Sequence, residues 1–203
     1  MRQNDVLNKK SKSEKTRIRI LEKAAQEASI SGIAALTLGG LAQALDMSKS
    51  GIYAHFGSME NLQVAVVDFI SDQFHKQVSS PVLMVDRGRE QLVEFMRLWL
   101  SWSTHPERPG GCQIIAASFD YDALDGPVRD HLANQIETWH RQMREFMRVV
   151  IDNDSSLKIN ADEACALAVG IYTKQHIEHF LLKQDDAPQR ALKHWVEYLN
   201  RAT

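Results

Sequence analysis

Residues 37–56, TLGGLAQALDMSKSGIYAHF, constrain this chain more than any other stretch. Thr37 stands where an N-cap belongs, its hydroxyl able to accept a hydrogen bond from an orphan amide of a first helical turn. Leu41, Ala42 and Leu45 then recur at helical spacing and give that helix one apolar face. Asp46 and Met47 interrupt the pattern, and Ser48 is a second N-cap. In the helix that follows, Ile52 and Phe56 share an inner face and leave Lys49, Ser50, Gly51, Tyr53 and His55 on the other. Two short helices around a tight turn, the second showing hydrogen-bonding groups, is the helix-turn-helix plan for entering a DNA groove. The alternative is an ordinary helical hairpin in a core. It gives no reason to expose a lysine, serines, a tyrosine and a histidine together.

Charge points the same way. The net charge is −2, yet residues 1–57 carry nine Lys or Arg against five Asp or Glu, and the remainder fifteen against twenty-one. A cationic end on an anionic body suits contact with a polyanion. The surplus is modest, so strong DNA binding is expected to need two copies acting together. Residues 1–13, with Lys9, Lys10 and Lys12, lack apolar periodicity and read as a flexible basic arm.

The pattern in residues 14–64 resembles the N-terminal domain of the tetracycline-repressor (TetR) family of bacterial regulators. The residues that carry the resemblance are Arg17, Ile20, Leu21 and Ala24, then Gly32, Leu36 and Thr37. Leu41, Ala42, Leu45, Ser48, Gly51, Ile52, Tyr53, His55, Phe56 and Leu62 follow in the family's order and spacing. The resemblance implies a homodimeric regulator, a repressor, that binds near-palindromic double-stranded operator DNA through Thr37, Ser48, Lys49, Ser50, Gly51, Tyr53 and His55. It also implies a body that binds a small effector and pairs with a second copy through its last two helices.

Three features depart from the family's pattern. Asp46 replaces a turn glycine, which aspartate's tolerance of left-handed backbone permits at some cost. Met59 replaces a lysine that touches phosphate, so that clamp is expected to be missing. Gly39 and Gly40 open a helix where each costs about 1 kcal/mol relative to alanine. Close approach of that helix N-terminus to a phosphate is one reading, and a frayed first turn without a role is the other.

Expected organisation follows from periodicity and punctuation. The fold class is all-α: an N-terminal three-helix helix-turn-helix DNA-binding domain, 14–60, and a larger C-terminal helical ligand-binding and dimerisation domain, 61–203. The first helix is expected over 14–31, with Ile18, Leu21, Ala25 and Ala28 buried and Arg17 and Lys23 turned to solvent or phosphate. Ser58 caps a helix to about residue 78, and 79–87, with Pro81, reads as a loop. In the body, helices are expected from Gly88 through Trp102, over 112–124, from Pro127 onward, over 161–183 and over 187–201. THPERPGG, 104–111, is a clear break between the first two. Apolar runs fall short of the ~20 residues of a membrane helix, and the N-terminus lacks a signal-peptide core. The protein is therefore expected in the cytoplasm, without membrane contact.

No catalytic constellation stands out, so an enzyme is not expected, nor any cofactor or metal. Cys112 and Cys165 read as reduced thiols. Cys112 with His140 as nucleophile and base would make a helical enzyme, and an accessible Cys112 thiol would make a redox or electrophile sensor. His176 and His179 have a possible zinc spacing, yet no cysteine or carboxylate partner is placed with them. The family resemblance implies instead a cavity in the body. Trp99, Trp102, Phe119, Trp139, Tyr172, His176 and Phe180, with Cys112, are its candidate lining, which would suit an apolar or aromatic effector. Core packing is the alternative fate for each of these aromatics.

Overall fold

A computed structural model of the chain describes residues 2–201, with side chains from Lys12 onward. Among the described residues every regular element is helical. Helix α1 (Arg2–Ser31) starts at Arg2 rather than near residue 14, so the stretch expected as a flexible arm continues the helix. The side chains of Lys9 and Lys10 lie outside the described residues. The buried stripe of α1 is Ile20, Leu21, Ala24, Ala25 and Ala28, and Ile18, expected within it, is 43% exposed. Ile18 falls on the wrong side because Ile20 and Leu21 centre the stripe about two residues later. Gly32 ends α1 at φ +87°, its amide donating to the Ala28 carbonyl at 3.0 Å, as a C-terminal glycine should.

α2 (Leu38–Leu45) and α3 (Lys49–Phe56) pack Leu41, Ile52 and Phe56 onto α1 and onto Ile33 and Leu36. Asp46 adopts φ 51° and ψ 50° at the end of α2, the left-handed conformation the turn demands. The Met47 amide closes that turn on the Ala42 carbonyl at 2.9 Å. α4 (Met59–Phe74) begins at Ser58, whose hydroxyl accepts the Asn61 amide at 3.0 Å. It does not stop near residue 78. It widens through a π-type turn (His75–Ser79) and closes with Ser80–Val82, so the expected loop starts only after Val82. Buried Val78 and Val82 keep one helical face apolar, while Pro81, exposed in the last turn, disturbs little.

The body comprises α5 (Arg89–Ser103), α6 (Gln113–Asp120), α7 (Pro127–Asp152), α8 (Ala161–His176, extended by a wider turn Ile177–Leu181) and α9 (Ala187–Arg201). α6 is shorter than the 112–124 expected. Asp120, Asp122 and Asp125 crowd its C-terminal end, where the helix dipole disfavours negative charge. α7 packs on α8 and α4, and α9 on α5 and α8. Trp99, Tyr172 and Trp195 are fully buried, and the Trp195 indole N–H donates to the Leu92 carbonyl at 2.8 Å. One continuous core runs from Ile20 in α1 to Leu199 in α9, so head and body share it.

Candidate functional site

The outer face of α3 is set by its caps. Ser48, extended at φ −77° and ψ 151°, accepts the Gly51 amide on its hydroxyl at 3.0 Å and meets the Ser50 hydroxyl at 3.1 Å. Thr37 caps α2 in the same manner, accepting the Gly40 amide at 3.0 Å. A β-carbon on Gly51 would come within 3.1 Å of the Ser48 hydroxyl, and one on Gly40 within 3.2 Å of the Thr37 hydroxyl. Both glycines therefore make room for caps. Gly39 makes room for Lys49, whose Cε would lie 3.2 Å from an added β-carbon. That packing role is neither of the two readings open from the sequence.

Thr37, Ser48, Lys49, Ser50 and Tyr53 are all exposed, with Tyr53 54% open to solvent. His55 is only half-buried, at the far end of α3 against Phe56. Arg17, expected to face solvent or phosphate, instead donates to the His55 carbonyl at 2.9 Å and lies 4.3 Å over the Phe56 ring. It braces α3 from behind. Lys23 pairs with Glu27 at 2.7 Å. Met59 is half-buried and packed on the core, so its side chain serves the interior.

The body holds a cavity of about 150 Å³ between α4, α5, α6 and α7. Trp99, Trp102, Trp139 and Cys112 line it, as expected, together with Ile70, Phe74, Ile114, Ile115 and Ile136. Phe74 meets Trp102 at 5.4 Å and Trp139 at 5.9 Å, and Trp139 meets Trp99 at 4.9 Å, all three edge to face. Such pairs hold the rings in fixed mutual orientation. The polar lining, Ser71, His75, Ser79, Gln135, Thr138 and Gln142, carries no carboxylate.

Four of the expected lining residues lie elsewhere. Tyr172 stacks behind Trp99 at 4.1 Å, fully buried, and burial drives its phenol pKa well up. His176 and Phe180 press on Gly111, where a β-carbon would overlap both rings and φ is +90°. Phe119 is 65% exposed on α6, outside the cavity. His140 packs on Trp139 at 5.1 Å and is absent from the cavity wall that holds Cys112. Cys165 is buried against the Met147 sulfur at 3.4 Å. Among the described residues no three His, Cys, Asp or Glu side chains group to hold a metal ion. Nor is any helix among them long and apolar enough to cross a membrane.

Two family profiles match this chain. One, described as "Bacterial regulatory proteins, tetR family", covers residues 20–66, and the other, "Tetracyclin repressor-like, C-terminal domain", covers 88–195, more than half of the sequence. The chain belongs to the TetR family. It is a DNA-binding transcriptional regulator whose body is the family's ligand-responsive domain. No curated protein matches it significantly. Solved structures share the fold. A TetR regulator from Chloroflexus aurantiacus is 21% identical with a TM-score of 0.81, over 94% of this chain and 96% of its own. AibR, solved with isovaleryl coenzyme A and operator DNA, is 19% identical with a TM-score of 0.69, over 90% and 97%. A regulator from Saccharomonospora viridis, solved with choline, is 18% identical with a TM-score of 0.75, over 92% and 96%.

This TetR-family chain also carries a direct link from body to head, in and just after the 104–111 stretch expected as a break. Gly110 sits against the backbone of Ser29 in α1, where a β-carbon would overlap the Ser29 carbonyl. Gln113 donates its side-chain amide to the Ala25 carbonyl at 3.1 Å. Cys112, between them, lines the aromatic cavity. The paired prolines and glycines of 104–111 were the available signal, but nothing in them says which helix they touch.

Proposed function

We propose that this regulator is a homodimeric repressor of a near-palindromic operator, released by a small apolar or aromatic effector. The reading is supported above all by α3, which holds Lys49, Ser50 and Tyr53 outward on a helix fixed by the Ser48 cap and braced by Arg17. Two such helices would enter successive major grooves about 34 Å apart. Dimerisation is supported by the outer stripe of α8, where Ala166, Gly170, Ile177 and Leu181 lie open, Leu181 being 74% exposed. An added β-carbon at Gly170 would meet nothing within 4 Å, which leaves space for a close helix from a second copy.

The effector would occupy the aromatic cavity, whose size of about 150 Å³ suits one ring. The regulators solved with choline and with isovaleryl coenzyme A lend weight to small-molecule binding in such a body. Displacement of Cys112 would move Gly110 and Gln113 and so tilt α1. A coupling of about 1–3 kcal/mol gives a 5- to 150-fold loss of DNA affinity. The test is fluorescence anisotropy against DNA flanking the protein's own gene, across salt concentrations. Specific binding with two-fold symmetry, lost in Tyr53→Ala and Lys49→Ala, is expected. Binding no tighter than to random DNA across an operator-sized panel would sink the reading.

A further inference from the structure

A second and larger hollow, of about 560 Å³, opens between the head and the body. Its walls come from Arg19, Lys23 and Gln26 of α1, Phe69, Gln73 and Gln77 along α4, and the link residues Arg108 and Gln113. Arg108 is the anomaly. It is 94% buried, being only 6% exposed, and its guanidinium lies 3.4 Å from the centroid of the Trp102 ring. Its Nη2 donates to the Gln77 side-chain oxygen at 2.6 Å, while Nη1 is buried without a partner among the described residues. Among the described residues no carboxylate forms an ion pair with it; Glu107 acts on it only through space. Burial accordingly lowers its pKa, yet an arginine this far from neutrality stays charged.

A buried cation needs compensating negative charge. Stacking on Trp102 and one bond to a neutral amide do not supply it. A guanidinium's donors form a flat fork matched to two oxygens of one acid group. Here one limb of that fork, Nη1, has no partner among the described residues, and the Arg108 side chain lines the hollow. The other titratable groups facing the hollow are Arg19, Lys23, Glu22 and Glu107. Lys23 is paired with Glu27, and Arg19 donates to the Leu45 carbonyl at 2.7 Å, so Arg108 is the group left to recognise a ligand. Gln26 and Gln73 line the hollow as well, with side-chain amide N–H groups able to donate to an anion.

We propose that this hollow is a binding site for a small oxyanion, the carboxylate or phosphate group of a metabolite, held by Arg108 and separate from the aromatic cavity. Trp102 and Ile70 line both spaces, so they form the wall between the two sites. An anion at Arg108 would bridge α1 of the head to α4 and the 104–113 link, fixing the head on the body. It would thereby act as a second signal on the same DNA-binding unit. The site itself stands whether or not the operator and effector readings hold, because its test reads binding alone.

The test uses the full chain, titrated with sodium acetate and with inorganic phosphate at constant ionic strength, sodium chloride serving as the comparison. Tryptophan fluorescence and melting temperature are followed together. At least one of the two probes is expected to give a saturable signal and a higher melting temperature, with chloride giving neither. Response to acetate alone would assign a carboxylate ligand, and response to phosphate alone a phosphate ligand. Arg108→Gln should weaken binding at least about tenfold, as loss of a charge-assisted bond does. Gln77→Glu supplies a carboxylate from within the protein. It should raise the melting temperature of the free protein and abolish the anion response, so the test stands even if Arg108→Gln fails to fold. Responses equal to that of chloride for both probes, or a response that survives Gln77→Glu, would overturn the proposal.

Discussion

The head and the body of this regulator are built on different principles. In the head, the caps and the turn lie within a few residues of their causes: Ser48 caps the helix that bears Lys49 and Tyr53, and Asp46 makes the turn before it. In the body, the aromatic cavity draws Phe74, Trp99, Cys112 and Trp139 from four separate regions of the chain. Changes in the head should therefore act locally, with small effects on stability and large ones on DNA. Changes in the body should disturb the shared core first.

The largest effect is expected from Trp99→Ala. Trp99 is 1% exposed and contacts Phe95, Trp139 and Tyr172. Its truncation should lower unfolding free energy by about 3–5 kcal/mol in urea melts. Gly110→Ala comes next, because the new methyl meets the fixed Ser29 backbone rather than a flexible side chain. About 1–3 kcal/mol of destabilisation is expected, with loosened protection of α1 in hydrogen exchange. Protection confined to its wild-type level would show that head and body are not joined there. Ser48→Ala, which removes one cap, should cost about 1 kcal/mol by thermal unfolding. Tyr53→Ala should change stability by no more than about 0.5 kcal/mol and abolish specific DNA binding. A large loss of stability in Tyr53→Ala would break the contrast between the two regions.

A pH effect sharpens it further. Burial, with the nearby His179 adding to it, lowers the His176 pKa in the folded state. The unfolded imidazole titrates near about 6.5, so the unfolded chain binds more protons just below that pH. Stability should fall as pH drops through that window. His176→Gln should make the decline shallower, as read from melting temperatures between neutral and mildly acidic pH.

The same contrast explains what could be read from the sequence. Caps at Thr37, Ser48 and Ser58, the glycine stop at Gly32 and Pro127 opening α7 are local devices, and all five are in place. The cavity depended on which aromatic faces meet across helices, which spacing along one helix does not determine. Trp99, Trp102 and Trp139 converge, whereas Phe119, on the same helical run as Cys112, turns outward. Phe74 was legible as an apolar-face residue of α4, but not as the ring that bridges Trp102 and Trp139. Arg108 lay inside an apparent loop, where burial of an arginine against a tryptophan leaves no periodic trace.

The central claim is that the state of the aromatic cavity governs the DNA-binding head. Ile136→Trp places a ring from α7 into that cavity, whose lining includes no residue of the head, and mimics occupation by an effector. Operator affinity of this variant, measured by anisotropy beside a melting curve that verifies folding, tests the claim most directly. The account predicts a folded protein whose DNA affinity is at least about 5-fold weaker. A folded variant with wild-type affinity would contradict it.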